Sequence, residues 1–342
     1  MALSPVLYNQ SLRHLNTFGL DVTAAALLHL EHRDDLTQLT DLVQAYPQLL
    51  ILGGGSNLLF TRNFEGLVVW NRLKGIAIEP DPDSPQHQLL KASGGESWHE
   101  LVMYAVHHQL GGIENLALIP GTVGAAPIQN IGAYGVELKD VFHSLEAFDL
   151  ETGKLQTFDK DNCMFGYRSS IFKHEFKGKY LIVSCTLRLS LEHTLHTSYG
   201  AIQTTLKKKG IEHPRISDIA EAVIDIRRSK LPDPQVLGNA GSFFKNPEIS
   251  LKHFEQLQQD FPDIPGYPVP GDLIKVPAGW LIETCGWKGR RMGNTGAHAQ
   301  QALVLVNYGN ATGEEIYEHA QRIIRNVKER FEITLVPEVN II

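Results

Sequence analysis

At 342 residues, 43% of them hydrophobic and 20% charged, the chain exceeds one typical hydrophobic core and is too apolar for a disordered segment, so two or three domains are expected. A formal net charge of -7 offers no net basic face and argues against nucleic acid as the main partner.

Helical and strand signals alternate in the first region. Asp34 and Asp35 precede Leu36, Leu39, Leu42 and Val43, the pattern of a capped helix that ends before Pro47. Leu49 to Leu52 reads as a buried strand running into a glycine turn, and Leu67-Val68-Val69-Trp70 as another. Ser97 and Glu100 form a candidate capping box ahead of Leu101, Val102, Ala105 and Val106, with Gly111-Gly112 as the stop. Short apolar runs between polar turns make 141–189 strand-rich, notably 145–150 and 180–189. A helix from about Ser217 carries Ile219, Val223 and Ile226 inward and ends at Arg227-Arg228, and the prolines of Leu231-Pro232-Asp233-Pro234 then mark a domain boundary. Beyond it come a helix over 251–259, a proline-rich loop over 262–270 and a long helix over about 313–330. Thr312 and Glu315 suit the capping box of that helix, and Ile316, Ala320, Ile323, Ile324 and Val327 its buried face. Ile333-Thr334-Leu335-Val336 reads as a closing strand before Pro337-Glu338, and the class is α+β.

Cys163, Cys185 and Cys285 are too widely spaced for a CxxC pair, which suggests a reducing compartment and no thiol zinc site. Met1-Ala2-Leu3-Ser4-Pro5 lacks a basic start and apolar run, and no stretch of about 18 apolar residues occurs, so a cytoplasmic protein without a membrane partner is expected. Fifteen histidines show no HExxH spacing, so no metal is expected. Without a coiled-coil seam the default is a monomer, and Lys207-Lys208-Lys209 reads as solvated surface.

Gly53-Gly54-Gly55-Ser56-Asn57 follows a buried strand and presents backbone N–H groups without Cβ obstruction, a phosphate cradle or else a plain turn. It is not a dinucleotide fingerprint of the Rossmann type, because Leu58 stands where the third glycine belongs and no helical periodicity follows. Ile119-Pro120-Gly121-Thr122-Val123-Gly124-Ala125-Ala126-Pro127 repeats the chemistry, with Thr122 as an added donor, and Gln129 to Gly135 continues it. Two long small-residue loops suit one extended ligand with a pyrophosphate, and the absent fingerprint points away from a nicotinamide-type domain.

These segments resemble the FAD-binding elements of the UDP-N-acetylenolpyruvoylglucosamine reductase family. Phe165-Gly166-Tyr167-Arg168, the run Gly238-Asn239-Ala240-Gly241-Ser242-Phe243-Phe244-Lys245-Asn246-Pro247, and Pro337-Glu338-Val339 resemble further motifs of it, and the likeness extends from Asn16-Thr17-Phe18-Gly19 to the end. The resemblance implies an FAD-binding fold of the vanillyl-alcohol-oxidase (PCMH) type in two subdomains, 1–74 (joined by a C-terminal strand, 333–342) and 75–230, followed by a separate α+β substrate domain over 231–332. It implies FAD held by Gly53, Gly54, Gly55, Ser56, Asn57, Leu58, Ile119, Gly121, Thr122, Gly124, Ala125, Gly132 and Arg227. NADPH would be the hydride-donating co-substrate, and UDP-N-acetylglucosamine enolpyruvate would be reduced to UDP-N-acetylmuramate for peptidoglycan precursors.

Taken alone, Arg168 reads as a surface or ion-pairing arginine, Ser242 as a turn hydroxyl and Glu338 as a solvated carboxylate. No Ser-His-Asp order or GxSxG elbow makes Ser242 a hydrolase nucleophile. The resemblance gives the three residues roles. As hydride passes from flavin N5 to the enolpyruvyl methylene carbon, Arg168 would stabilise charge growing toward the substrate carboxylate. Glu338 would help if protonated, and Ser242 would protonate the adjacent carbon. Tyr199 resembles the tyrosine of a loop that closes over substrate, and Lys230, Asn246, Tyr267, Lys275 and Gln301 resemble residues that hold diphosphate, carboxylate or sugar. Where the family pattern has an arginine two residues after the terminal glutamate, this chain has Asn340. The rival readings are a flavin oxidase or dehydrogenase of an alcohol or hydroxy acid on the same fold, a non-catalytic flavin or nucleotide-sugar binder, and a nicotinamide-only dehydrogenase, which would purify colourless.

Overall fold

The computed structural model describes residues 3–342, which divide into two compact units. The first holds residues up to 10, 24–54 and 65–229; the second holds 11–23, 55–64 and 230–342.

In the first unit a four-stranded sheet runs in the order β1 (Val6–Ser11), β2 (Thr23–Leu30), β4 (Phe64–Asn71), β3 (Leu49–Leu52), with β3 and β4 parallel. Helix α1 (Leu36–Ala45) links β2 to β3 and ends at Tyr46, ahead of Pro47. A five-stranded antiparallel sheet follows, ordered β8 (Leu155–Asp159), β7 (Phe142–Asp149), β9 (Tyr180–Ser190), β6 (His87–Ser93), β5 (Ile76–Pro80). Alternation sends Leu28, Leu30, Leu67 and Val69 from one sheet and Phe148, Leu181 and Val183 from the other into one core with α1. The opposite face of the larger sheet packs its Leu145, Cys185 and Leu187 with α2 (Trp98–His107) and α4 (Ile216–Lys230), while α3 (Gly200–Lys208) adds Ile202 and Leu206.

The second unit is built on α7 (Gly313–Phe331). Thr312 and Glu315 close a capping box, Ile316, Ala320, Ile323 and Val327 are buried at helical spacing, and Glu332 ends the helix with φ of 56°. Residues 238–242 form β10, which pairs with β16 (Val304–Asn307) in a sheet completed by β15 (Thr295–Ala297) and β14 (Arg291–Met292). A smaller sheet orders β11 (Glu248–Ser250), β13 (Leu273–Lys275) and β12 (Tyr267–Val269), flanked by α5 (Leu251–Asp260) and α6 (Ala278–Thr284). Asn340–Ile341 pairs in parallel with Leu58–Leu59.

Several expectations need correction. Residues 333–336 form no strand; Lys245 N–H donates to Val336 O at 2.9 Å and Phe244 bridges Pro337, whose missing N–H allows no ladder to continue. The loop over 262–270 contains β12. Helix α2 stops before Gly111-Gly112, because Gln109 takes the left-handed turn with φ of 56°. Its capping is one-sided: Ser97 Oγ accepts from Glu100 N–H at 3.4 Å. Lys207 and Lys208 end a helix the sequence pattern did not suggest, and Lys209 pairs with Asp225 at 2.6 Å. The compact unit that holds 230–342 also takes in the stretches 11–23 and 55–64.

Candidate active site

In the first unit, backbone bonds rather than regular structure fix the 119–127 loop. Trp98 N–H donates to Gly121 O (3.1 Å), Val123 N–H to Glu96 O (2.9 Å) and Gly124 N–H to Gly94 O (2.9 Å), while Ala125 N–H closes on Thr122 O (3.0 Å). The loop lies against the glycine run so closely that a Cβ on Gly54 would stand 2.9 Å from Gly121 Cα, and one on Gly53 would collide with Thr122 Oγ1. Absence of side chains is therefore a packing requirement at 53 and 54. Thr122 Oγ1 is buried and has no hydrogen-bond partner within the protein.

Beside this loop, Gly132–Ala133 pairs with Val136–Glu137 through a turn in which Tyr134 has φ of 50°. Arg227 reaches in from α4; its Nε donates to Leu118 O at 3.2 Å and its guanidinium is bonded to Tyr134. Burial lowers the Arg227 pKa, and the like charge of Arg168 lowers it further, with Tyr134 opposing. Arg168 has φ of 51° in the turn bridged by Gly166 and Ser169, and its carbonyl accepts from Lys173 Nζ at 3.1 Å. Tyr199, 51% exposed, precedes α3 and meets Tyr134 edge to face at 5.2 Å. Below them Asn115, with no exposed surface, donates both amide protons: to Tyr134 O at 3.0 Å and to His196 O at 2.9 Å. Arg227 and Tyr199 thus meet at Tyr134, and Arg168 lies close enough to Arg227 for its charge to be felt there. Tyr134 lay inside a quoted motif without being singled out, and Asn115 carried no sequence signal.

In the second unit, β10 carries Ser242 opposite Val304. Past it the chain leaves the β16 edge for the terminal segment: Phe243 N–H donates to Leu303 O, and Glu338 N–H donates to Phe243 O, each at 2.8 Å. Ser242 and Glu338, 96 positions apart by their numbers, become main-chain neighbours. Asn246 Oδ1 accepts from Ala278 N–H at the start of α6 (2.9 Å), and a Cβ on Gly279 would lie 3.4 Å from Gln301 Oε1. Lys275 Nζ pairs with Glu248 at 3.3 Å, opposite Tyr267 in the β12–β13 register. Lys230 is the exposed last residue of α4. After Gly55 and Ser56, Asn57 O accepts from both Asn340 N–H (3.1 Å) and Asn340 Nδ2 (3.0 Å), so the residue standing in place of the expected arginine ties the terminal segment to the glycine run, just ahead of Leu58.

Residues 233–342 match the family model described as UDP-N-acetylenolpyruvoylglucosamine reductase, C-terminal domain, and residues 24–159 match the FAD binding domain. UDP-N-acetylenolpyruvoylglucosamine reductase of Pseudomonas aeruginosa is 49% identical over 332 residues, with 97% of each chain covered. The protein of the same name from Amoebophilus asiaticus is 48% identical over 335 residues, with 98% of each covered. The chain belongs to the UDP-N-acetylenolpyruvoylglucosamine reductase family. The crystal structure of UDP-N-acetylenolpyruvylglucosamine reductase from Thermus caldophilus, at 23% identity, shares the fold with a TM-score of 0.66 over 99% of this chain and 98% of that one.

As a member of the family the chain is an FAD-containing oxidoreductase. The first unit suits that cofactor: Gly53 and Gly54 let the glycine run close onto the 119–127 loop, so that the two small-residue segments lie side by side. The buried Thr122 hydroxyl has a proton to give, and Arg227 brings a half-buried positive charge.

Proposed function

We propose that this chain catalyses the NADPH-dependent, FAD-mediated reduction of UDP-N-acetylglucosamine enolpyruvate to UDP-N-acetylmuramate, a step of peptidoglycan precursor synthesis, with Arg168, Ser242 and Glu338 as the reacting groups. The observation that most favours these roles is the main-chain bond from Glu338 N–H to Phe243 O at 2.8 Å, which brings the backbone of Glu338 to the residue next to Ser242. When bound, FAD supplies transfer of a hydride, taken from NADPH, to the methylene carbon of the enolpyruvyl ether.

The protein's own residues manage charge and proton. Hydride addition drives negative charge toward the substrate carboxylate, which the planar guanidinium of Arg168 receives and the Glu338 carboxyl supports with a hydrogen bond. Ser242 Oγ gives its proton to the neighbouring carbon, a transfer that a weakly acidic hydroxyl can make only to a strongly basic centre within hydrogen-bond reach. Gly53, Gly54, Gly55, Ser56, Asn57, Leu58, Ile119, Gly121, Thr122, Gly124, Ala125, Gly132 and Arg227 hold the cofactor. Tyr199, Lys230, Asn246, Tyr267, Lys275 and Gln301 hold the substrate's sugar, carboxylate and diphosphate. Flavin-binding and substrate-binding parts meeting near residue 230 and a cytoplasmic monomer complete the reading. Among the described residues, no helix is long and apolar enough to cross a membrane.

The test separates the half-reactions. In Ser242→Ala, NADPH should bleach the flavin at nearly the parent rate, while its return on adding UDP-N-acetylglucosamine enolpyruvate should slow by about 10²–10⁴-fold. Equal loss in both steps would make Ser242 structural. A flavin that bleaches but recovers only with oxygen, in the parent too, would favour an oxidase.

A further inference from the structure

We propose that the second unit carries an additional anion site, lined by Arg290, Arg322 and Arg325 and separate from the residues named above, which takes a small diphosphate-bearing ligand. Arg322, Arg325, Asn326 and Glu329 follow the i, i+3, i+4, i+7 spacing and share one face of α7. With Arg290, Trp287 and Met292 they line an open, shallow cleft of about 250 Å³. A neighbouring cleft of about 330 Å³ shares Asn326 and Glu329 and adds Arg330 and Cys285.

The charges of this face are not balanced from within. Glu318 and Glu329 stand four residues from Arg322 and Arg325, the spacing at which helical ion pairs form. Among the described residues, no carboxylate lies within ion-pair distance of Arg290, Arg322 or Arg325. Glu329 instead accepts from Asn326 Nδ2 at 3.2 Å, and Asn326 Oδ1 accepts from Trp287 Nε1 at 3.1 Å. Arg290 lies over the Trp287 ring at 4.6 Å. Beneath, His319 is only 2% exposed, neither ring nitrogen has a hydrogen-bond partner, and its ring meets Trp287 at 5.2 Å. Burial, with the charges of Arg290 and Arg322 adding to it, holds this imidazole neutral, down to about 4.

Three exposed guanidiniums and the one carboxylate of Glu329, which forms no ion pair with them, surround one concavity and leave it net positive in a chain of net charge -7. An external anion offsets that charge. Guanidinium forks match phosphate oxygens bidentately, the cleft volume suits a small ligand, and the adjoining cleft with Arg330 leaves room for a second charged group. Inorganic pyrophosphate and a nucleoside diphosphate share this chemistry.

The experiment titrates FAD-loaded protein with sodium pyrophosphate and, separately, UDP by calorimetry. Arg322→Gln/Arg325→Gln should weaken one component of pyrophosphate binding by about tenfold or more, and Lys275→Ala, in the proposed substrate site, should leave that component in place while weakening any second one. Tighter binding of UDP than of pyrophosphate, lost in the same double variant, would identify a nucleotide as the ligand; equal binding would identify the free diphosphate. Unchanged pyrophosphate affinity in the double variant overturns the site, and so does binding that only Lys275→Ala removes. A lowered melting temperature with unchanged affinity would assign the arginines to helix packing instead. An oligoglutamate peptide that binds this face where pyrophosphate does not would also overturn it. Because the readout is binding, the result is independent of whether the reductase chemistry proceeds as proposed.

Discussion

One methyl group should be enough to disturb the cofactor cradle. At Gly54 the added carbon would meet Gly121 Cα at 2.9 Å, with Gly121 C and N at 3.4 and 3.5 Å, all backbone that cannot rotate aside. Gly54→Ala is therefore expected to purify with little flavin colour. Gly200→Ala, in open space at the first position of α3, should keep a full flavin complement. Asn115 is subtler. Asn115→Leu keeps the branched shape but strands the carbonyls of Tyr134 and His196, at about 1–3 kcal/mol for each buried group left unmet. Because those bonds tie the turn carrying Tyr134 to the segment ahead of Tyr199, KM for the enolpyruvyl substrate should rise while flavin reduction by NADPH holds its rate. Equal damage to both steps would reduce Asn115 to a core residue. The glycine loops stood out in the sequence because small residues cluster there locally, and Ser242 only because its flanking run resembles a family motif. Asn115 was not, since its partners lie 19 and 81 residues away and are main-chain oxygens.

Among the elements, long periodic ones were legible: α7 and β9 were anticipated to within a residue or two because capping residues and alternation are local signals. The segment 333–336 was not, because its apolar pattern reports only which face is buried and cannot report that no strand edge lies beside it. Strand β7 contains the element-scale test. Burial pushes the Glu146 carboxyl up, but hydrogen bonds from Lys91 Nζ (2.8 Å) and Ser184 Oγ (2.7 Å), with the charges of Lys91 and Arg33, outweigh it and bring Glu146 down to about 2. A carboxylate depressed in the folded state stabilises the fold fully above its ordinary value of 4.5, and that contribution fades as pH falls toward about 2. Glu146→Gln should therefore melt below the parent at pH 7, and the two melting curves should converge on acidification through this window. A gap that is constant with pH would show that packing, not charge, is at stake.

At the scale of the molecule, the prolines at 232 and 234 stand beside the change of unit at 229/230, but the contributions of 11–23 and 55–64 to the second unit had no counterpart in composition. They matter physically. Asn239 N–H donates to Thr17 O at 3.0 Å, Asn307 Nδ2 donates to Phe18 O at 2.9 Å, and Gly313 is packed against the Phe60 carbonyl with no space for a Cβ. A fragment of residues 230–342 would lose these partners and leave buried polar groups unmet. It should give a poorly dispersed amide spectrum and no cooperative melt, while a sharp transition would show that the smaller stretches are dispensable. The tie between Asn340 and Asn57 spans 283 residues of chain, and it sets a schedule for biosynthesis. A ribosome that has just made Gly53 to Asn57 must add nearly three hundred more residues before this partner exists, so the glycine run lacks this tie for most of its own synthesis.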